Sequence, residues 1–132
     1  MNFLPIILIG VGGCVGSIAR YGIGTMVEEI PMNGFPLATF IVNTVGCFII
    51  GICVELYKYS AISSEGYLLL ATGFCGGFTT FSTFILDCML TQKFSISMTL
   101  LYASASIIIG YIFLFIGLLS TRFFLQLSGV HS

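Results

Sequence analysis

The sequence predicts an all-α integral membrane protein with four transmembrane helices in each chain. Three observations lead to this class: the apolar composition, the scarcity of charge, and the length of the apolar segments between the few charges. Of the 132 residues, 58% are hydrophobic and only 7% are charged, and the mean hydropathy is +1.13. Soluble domains carry about 25% charged residues, so this chain lacks the polar surface that a soluble fold requires.

Four apolar segments are each long enough to cross a bilayer, which takes about 20 residues in a helix. The segment Glu28–Gly34 separates the first two with turn-forming residues, and the first helix is expected to be retained because no positively charged signal-peptide region precedes it. The chain is therefore predicted to be one domain, 1–132, with helices at about residues 3–26, 36–57, 65–92 and 96–122.

The loops and helix ends carry charges that bear on orientation in the membrane. Lys58 and Arg122 fall on one side, and Arg20 and Lys93 fall on the other. An excess of Lys and Arg in cytoplasmic loops normally sets the orientation of a membrane protein. Here two basic residues fall on each side, so neither orientation is favoured by this rule. This balance predicts insertion in both orientations.

The third segment contains the most unusual stretch, Gly73-Phe-Cys-Gly-Gly-Phe-Thr-Thr-Phe-Ser-Thr-Phe84. Adjacent glycines followed by four hydroxyl residues have a low propensity to form a continuous helix. We therefore expect helix 3 to be broken near the membrane midplane at Gly76-Gly77, which is tolerated only where the backbone is buried in protein or lines a cavity. A glycine-rich packing notch is the alternative.

Polar residues also recur on the other helices. On helix 1, Arg20 belongs to a stripe of small and polar residues and either reaches the interface or faces a wet cavity, while the glycines favour close helix packing. On helix 2, Asn43 either joins two helices by a hydrogen bond or lines a pathway. On helix 4, Tyr102, Ser106 and Gly110 share one face.

Other classes of function find little support. The net charge of −1 indicates no nucleic-acid partner. The sequence shows no Cys/His cluster and no catalytic triad, so we expect no enzyme. Asp87 is interpreted as an interfacial charge, and His131 lies in a polar C-terminal tail.

Three sequence pieces resemble the Fluc fluoride-channel family, also called the CrcB type. They are Gly12-Gly-Cys-Val-Gly-Ser-Ile-Ala-Arg-Tyr21, Thr39-Phe-Ile-Val-Asn-Thr-Val-Gly46, and the helix 3 stretch from Gly73 to Phe84. The pieces occur in the order found in that family, and the chain length and number of spans agree as well. The resemblance covers nearly the whole chain, and the helix 3 stretch is its most specific part.

The resemblance implies an antiparallel, dual-topology homodimer in the cell membrane, with two pores that let fluoride leave the cytoplasm passively and so reduce its toxicity. It implies a structural sodium ion at the dimer interface, held by the backbone carbonyls of Gly76 and Thr79. It implies that Arg20 lies at a vestibule. The pore residues that it implies, with hydroxyl, amide or aromatic-edge donors, are Asn43, Phe81, Ser82, Thr83, Phe84, Tyr102 and Ser106.

Two positions depart from the pattern of that family. Gly110 stands where many members carry a hydroxyl, and Asp87 stands where Glu is more common. Two alternative functions remain open at this point. A small dual-topology multidrug exporter would need an ionisable carboxylate deep in a helix, and a non-transporting assembly protein would use the glycines and Asn43 for packing alone.

Overall fold

The computed structural model describes residues 3–27, 34–93 and 95–129, and this part of the chain is helical without strands. The helices are α1 (Leu4–Val27), α2 (Leu37–Lys58), α3 (Ser64–Tyr67), a π-helix (Leu68–Cys75), α4 (Gly76–Phe78), α5 (Phe81–Gln92) and α6 (Ile96–Leu127). The pieces from Ser64 to Gln92 form one third span. Four spans are long and apolar enough to cross a membrane, which confirms the predicted class. The turn predicted at residues 28–33 and His131 lie outside the described residues.

The third span is not one regular helix. It starts at the N-cap Ser63, whose hydroxyl accepts a bond from the Gly66 N–H. After the π-helix and α4, Thr79 (φ −77°, ψ 160°) and Thr80 (φ −150°, ψ 117°) have extended backbone, and α5 then begins. We call these two residues the extended pair.

The position of the irregular backbone corrects the sequence prediction. The irregularity was expected at Gly76-Gly77, but both glycines belong to α4, and Gly76 has helical dihedrals of φ −62° and ψ −38°. The extended pair lies three residues later. Glycine lowers helix propensity, but here Gly77 stays helical and packs against α1, and the Thr80 hydroxyl accepts from the Thr83 N–H where α5 begins.

Glycines allow α1 to pack directly on the backbone of the third span. A Cβ atom at Gly12 would overlap the Leu69 carbonyl oxygen, and one at Gly16 would overlap the carbonyl oxygen of Phe74. From the opposite side, a Cβ atom at Gly77 would overlap Gly13 of α1. The GxxxG spacing of α1 is therefore a packing device, as expected from the sequence.

A second glycine contact joins α2 to α6. Gly51 of α2 lies against the Leu114 carbonyl, and Gly117 of α6 lies against the Phe48 carbonyl. The reciprocal arrangement lets the two helix backbones approach closely along much of their length. The sequence pattern alone did not predict this contact.

The final helix is longer than predicted. Helix 4 was expected to end near Arg122, but α6 continues to Leu127. Arg122 lies inside α6, and its guanidinium Nε donates to Glu55 Oε1 of α2 at 2.7 Å. Glu55 itself is 2% exposed, although the sequence placed it at the edge of a span.

Candidate functional site

The extended pair is held by Asn43 from α2. The Asn43 Nδ2 donates to the Thr80 carbonyl at 3.1 Å, and the Thr80 N–H donates to Asn43 Oδ1 at 2.8 Å. One carboxamide thus replaces both partners that the Thr80 backbone would have in a sheet or a helix. In a continuous helix the Thr80 N–H would donate to the Gly76 carbonyl. Here it donates to Asn43 instead, so the Gly76 carbonyl does not receive this helical bond.

The threonine side chains complete the interruption. The Thr79 hydroxyl donates to the Cys75 carbonyl at 2.8 Å, within the last turn before the extended pair. The Thr80 hydroxyl oxygen accepts from the Thr83 N–H at 3.2 Å and so caps the start of α5. Threonine at an N-cap stabilises a helix by about 1 kcal/mol. Two of the four hydroxyl residues in this stretch therefore stabilise the backbone.

The first helix also contributes donors to this backbone. Arg20 donates from a terminal guanidinium nitrogen to the Thr79 carbonyl at 3.3 Å, and Ser17 donates to the Gly77 carbonyl at 3.4 Å. Ser17 and Arg20 are three residues apart and lie on the same face of α1. Arg20 therefore reaches the interruption in the third span, and its positive charge lies next to a backbone carbonyl.

On one side of the extended pair is a cavity of about 500 Å³, which we call the Arg20 cavity. Polar atoms reach it from three helices: Arg20 from α1, Thr39 from α2, and Thr83 and Asp87 from α5. Thr80 lines it as well. A cation, a carboxylate and hydroxyl groups make this a polar site within an apolar bundle, with one charge of each sign.

On the other side is a cavity of about 420 Å³, which we call the Phe81 cavity. Its wall is more apolar, and the rings of Phe81 and Phe84 lie 6.0 Å apart between centroids. Phe81 is 76% exposed in the single chain. The other predicted site residues on this wall are Asn43, Gly76, Thr79 and Ser106. Thr80 lines both cavities, so the extended pair separates them.

Tyr102 lies beneath these rings and is fully buried. Its ring is 5.4 Å from the ring of Phe84 and 5.4 Å from that of Phe35, between centroids. Its hydroxyl donates to Asp87 Oδ2 at 3.3 Å. Ser106, one turn later on α6, donates to the Tyr102 carbonyl at 2.7 Å, so its hydrogen is used within the helix.

Comparison with protein families shows where this arrangement belongs. Residues 7–118 match the family described as CrcB-like protein, Camphor Resistance (CrcB). The match includes all three helix interfaces around the extended pair. The chain belongs to the CrcB-like family.

Curated relatives cover nearly the same length as this CrcB-like chain. A protein of Prosthecochloris aestuarii named "Fluoride-specific ion channel FluC" is 42% identical over 92% of this chain and 95% of its own length. A protein of the same name from Thermus thermophilus is 40% identical over 84% of this chain and 90% of its own. "Fluoride-specific ion channel FluC 2" of Bacillus cereus is 41% identical over 85% and 92%.

Family membership and the four apolar spans make this CrcB-like chain a multi-pass protein of the cell membrane. Large apolar side chains cover much of the outside of the single chain, as expected for a surface that meets lipid or another subunit. The polar groups are concentrated around the extended pair, where the structure brings together residues from α1, α2, α5 and α6.

Two of the predicted site residues lie outside the walls of both cavities. Ser82 lies next to the extended pair, with its hydroxyl 3.4 Å from that of Thr80, but it does not line either cavity. Tyr102 lines neither cavity and contacts the site through Phe35, Phe84 and Asp87. The roles predicted for these residues in binding an ion remain predictions.

Sequence reasoning missed two residues of the site. Asp87 was interpreted as an interfacial charge, but it lines the Arg20 cavity and accepts from Tyr102. The signal was present, because Asp87 is four residues after Thr83 and shares its helix face. Phe35, whose ring packs edge-on to Tyr102, lies before α2 and had no periodicity to identify it.

Proposed function

We propose that this protein is a fluoride-specific ion channel that lets fluoride leave the cytoplasm passively. The names of relatives that are 40–42% identical over most of the chain carry the proposal. The site supports it on chemical grounds. Fluoride is small and strongly hydrated, so a pore must offer donors, and hydroxyl, amide and guanidinium groups converge on the extended pair.

The two cavities suit different stages of anion passage. Arg20 in its cavity favours anions by its charge, while Asp87 on the same wall limits how tightly they bind. In the Phe81 cavity, the rings of Phe81 and Phe84 offer positively polarised edges without a full charge. Weak sites in series let an ion enter and leave again.

Fluoride efflux from proteoliposomes tests the proposal. Purified protein should release trapped fluoride, measured with a fluoride electrode, and should leave trapped chloride inside vesicles of the same preparation. Protein-free vesicles control for leakage. Chloride efflux at a comparable rate would contradict the proposed selectivity, and no fluoride efflux from correctly folded protein would favour a purely structural protein.

The structure weakens the case for a proton-coupled exporter. Such a carrier needs an acid that can exchange protons while substrate moves. In the described part of the chain, Glu55 is buried against Arg122, and Asp87 is bonded to Tyr102. Proton-driven dye efflux from the same vesicles would nevertheless revive this alternative.

We propose further that two chains assemble as an antiparallel homodimer after insertion in both orientations. Phe81 is 76% exposed in the single chain although it lies beside polar backbone, and a second subunit would cover it. The balance of Lys and Arg supports dual insertion. A C-terminal reporter active on one side of the membrane should therefore give signal when targeted to either side, and a one-sided signal would contradict dual insertion.

A structural sodium ion between the subunits is part of the same proposal. The carbonyl of Gly76 fits the role because Asn43 diverts its helical donor and because Gly76 is exposed in the single chain. The carbonyl of Thr79 fits less simply, since it already accepts from Arg20 at 3.3 Å. A carbonyl oxygen has two lone pairs, so it has the capacity to accept both.

Bound sodium would supply a fixed positive charge beside the fluoride path. Removal of sodium should weaken the dimer, because an ion that binds only the assembled state stabilises it by mass action. Dimer dissociation measured in matched sodium and N-methylglucamine buffers after long equilibration tests this. Equal dissociation constants would count against a sodium site.

A further inference from the structure

We propose that Arg122 and Lys58 form a binding site for the phosphate headgroup of an anionic phospholipid at one end of the α2–α6 helix pair. The described part of the chain has few basic side chains, and two of them converge here. Arg122 Nε lies 2.7 Å from Glu55 Oε1, and Lys58 Nζ lies 3.9 Å from the same oxygen. The site is separate from the extended pair and from both cavities.

The charges at this site do not cancel. Two cations share one carboxylate, so the cluster keeps a net positive charge of one. The negative partner is hidden, because the Glu55 side chain is 2% exposed. The cations are accessible, with the Arg122 side chain 42% exposed and that of Lys58 55% exposed. An approaching anion therefore meets the cations and not the carboxylate.

The bond to Glu55 also orients the arginine. A guanidinium carries five N–H donors in a planar fork, and Nε is the atom that bonds Glu55. The bond to Glu55 uses Nε, so the donors on the two terminal nitrogens are separate from it, and the side chain as a whole is 42% exposed. Arginine held in this way is suited to bidentate contact with a phosphate, and Lys58 adds a point charge nearby.

The surroundings favour a lipid over a free phosphate ion. Aromatic side chains flank the cations: Lys58 Nζ lies 5.7 Å from the Tyr59 ring centroid, and Tyr57 packs against Tyr67. Tyrosine and lysine at helix ends are typical of the membrane interface. Two exposed apolar side chains lie close to the cations in the sequence: Val54 is one helical turn before Lys58, and Phe123 follows Arg122. A headgroup and its acyl chains would satisfy both parts of this surface.

Native mass spectrometry of the purified protein with equimolar POPG and POPC tests the proposal. The wild-type protein should retain POPG in preference to POPC. Lys58→Gln should lower POPG retention about fivefold, the change in equilibrium that one cation at a membrane surface typically gives. This variant leaves the Glu55–Arg122 pair intact. Lys93→Gln, at the end of α5 on the other side of the membrane, is the matched control and should retain POPG as the wild type does.

Arg122→Lys supplies a second test that keeps a cation opposite the buried Glu55. It removes the planar fork, so it should also lower POPG retention while the protein still elutes as the wild type does. Competition with inorganic phosphate separates the two sources of phosphate. No preference for POPG, an equal effect of Lys93→Gln, or displacement of POPG by phosphate at equal concentration would overturn the lipid site.

Discussion

Asn43 is the side chain on which the extended pair depends most directly, and Asn43→Ala tests that dependence. The substitution removes both contacts to Thr80, the 3.1 Å bond to its carbonyl and the 2.8 Å bond from its N–H. A buried backbone group without a partner costs about 1–3 kcal/mol. Both contacts are half-buried, so cavity water offsets part of the cost, and we expect a loss of about 2–3 kcal/mol in the free energy of unfolding.

Asn43→Asp refines the test. The carboxylate still accepts from the Thr80 N–H, but its second oxygen faces the Thr80 carbonyl oxygen with no proton between them, so we expect a loss of stability at least as large as in Asn43→Ala. The same change places a negative charge on the wall of the Phe81 cavity, and fluoride efflux should fall further than in Asn43→Ala. Asn43→Asp is therefore expected to be no better than Asn43→Ala in stability and worse in fluoride efflux.

Unfolding in SDS titrations, followed by circular dichroism, and fluoride efflux from proteoliposomes are the two measurements. Cys47→Ala is a suitable control, because Cys47 is one turn further along α2 and lines the same cavity. If Asn43→Ala lowers flux but unfolds within about 0.5 kcal/mol of the wild type, well below the cost of one unpaired group, Asn43 acts on the ion alone. The positioning role would then be refuted.

Three further predictions follow from the packing and the charges. Gly77→Ala places a methyl group against the backbone of α1 and should cost about 1–3 kcal/mol in SDS unfolding, whereas Gly76→Ala meets open space within the chain and should cost less; equal losses would contradict the packing role of Gly77. Phe84→Ile keeps apolar bulk but removes the ring edge, so fluoride efflux should fall with unchanged elution on size exclusion, and unchanged efflux would indicate a packing role. Arg122→Gln removes the closer of the two cations beside the buried Glu55 carboxylate, so it should lower the stability in SDS unfolding, and adding Glu55→Gln should recover part of the loss; stability equal to that of the wild type would show that the pair contributes little.

The sequence predicted the class of fold well because the bilayer imposes a strict length and polarity on each span. It misplaced the irregular backbone of the third span. Glycine weakens a helix in isolation, but whether a glycine unwinds or packs depends on what lies opposite, and Gly77 lies against α1.

Local sequence patterns could not predict which residues that are far apart in the sequence would pair in the fold. Glu55 and Arg122 are 67 residues apart, and each looked like the end of a span. Their pairing needs the approach of α2 and α6, which the glycines on both helices permit. The π-helix at Leu68–Cys75 had no recognised signal either. By contrast, the polar residues of the site could be identified singly, because polar groups within apolar spans are rare enough to be informative.

The extended pair also links the proposed homodimer to the proposed sodium ion. An interruption inside a membrane domain leaves backbone groups that need new partners. Neighbouring helices supply several of them: Ser17 bonds the Gly77 carbonyl, Arg20 bonds the Thr79 carbonyl, and Asn43 bonds Thr80. The Gly76 carbonyl differs, since its helical donor is diverted to Asn43 and the residue faces outward from the chain. In the proposed homodimer, a cation shared with a second copy would bind two such carbonyls at once. A dimer that assembles equally well without sodium would require another donor at Gly76, and the search for it would begin on the partner's surface beside Phe81.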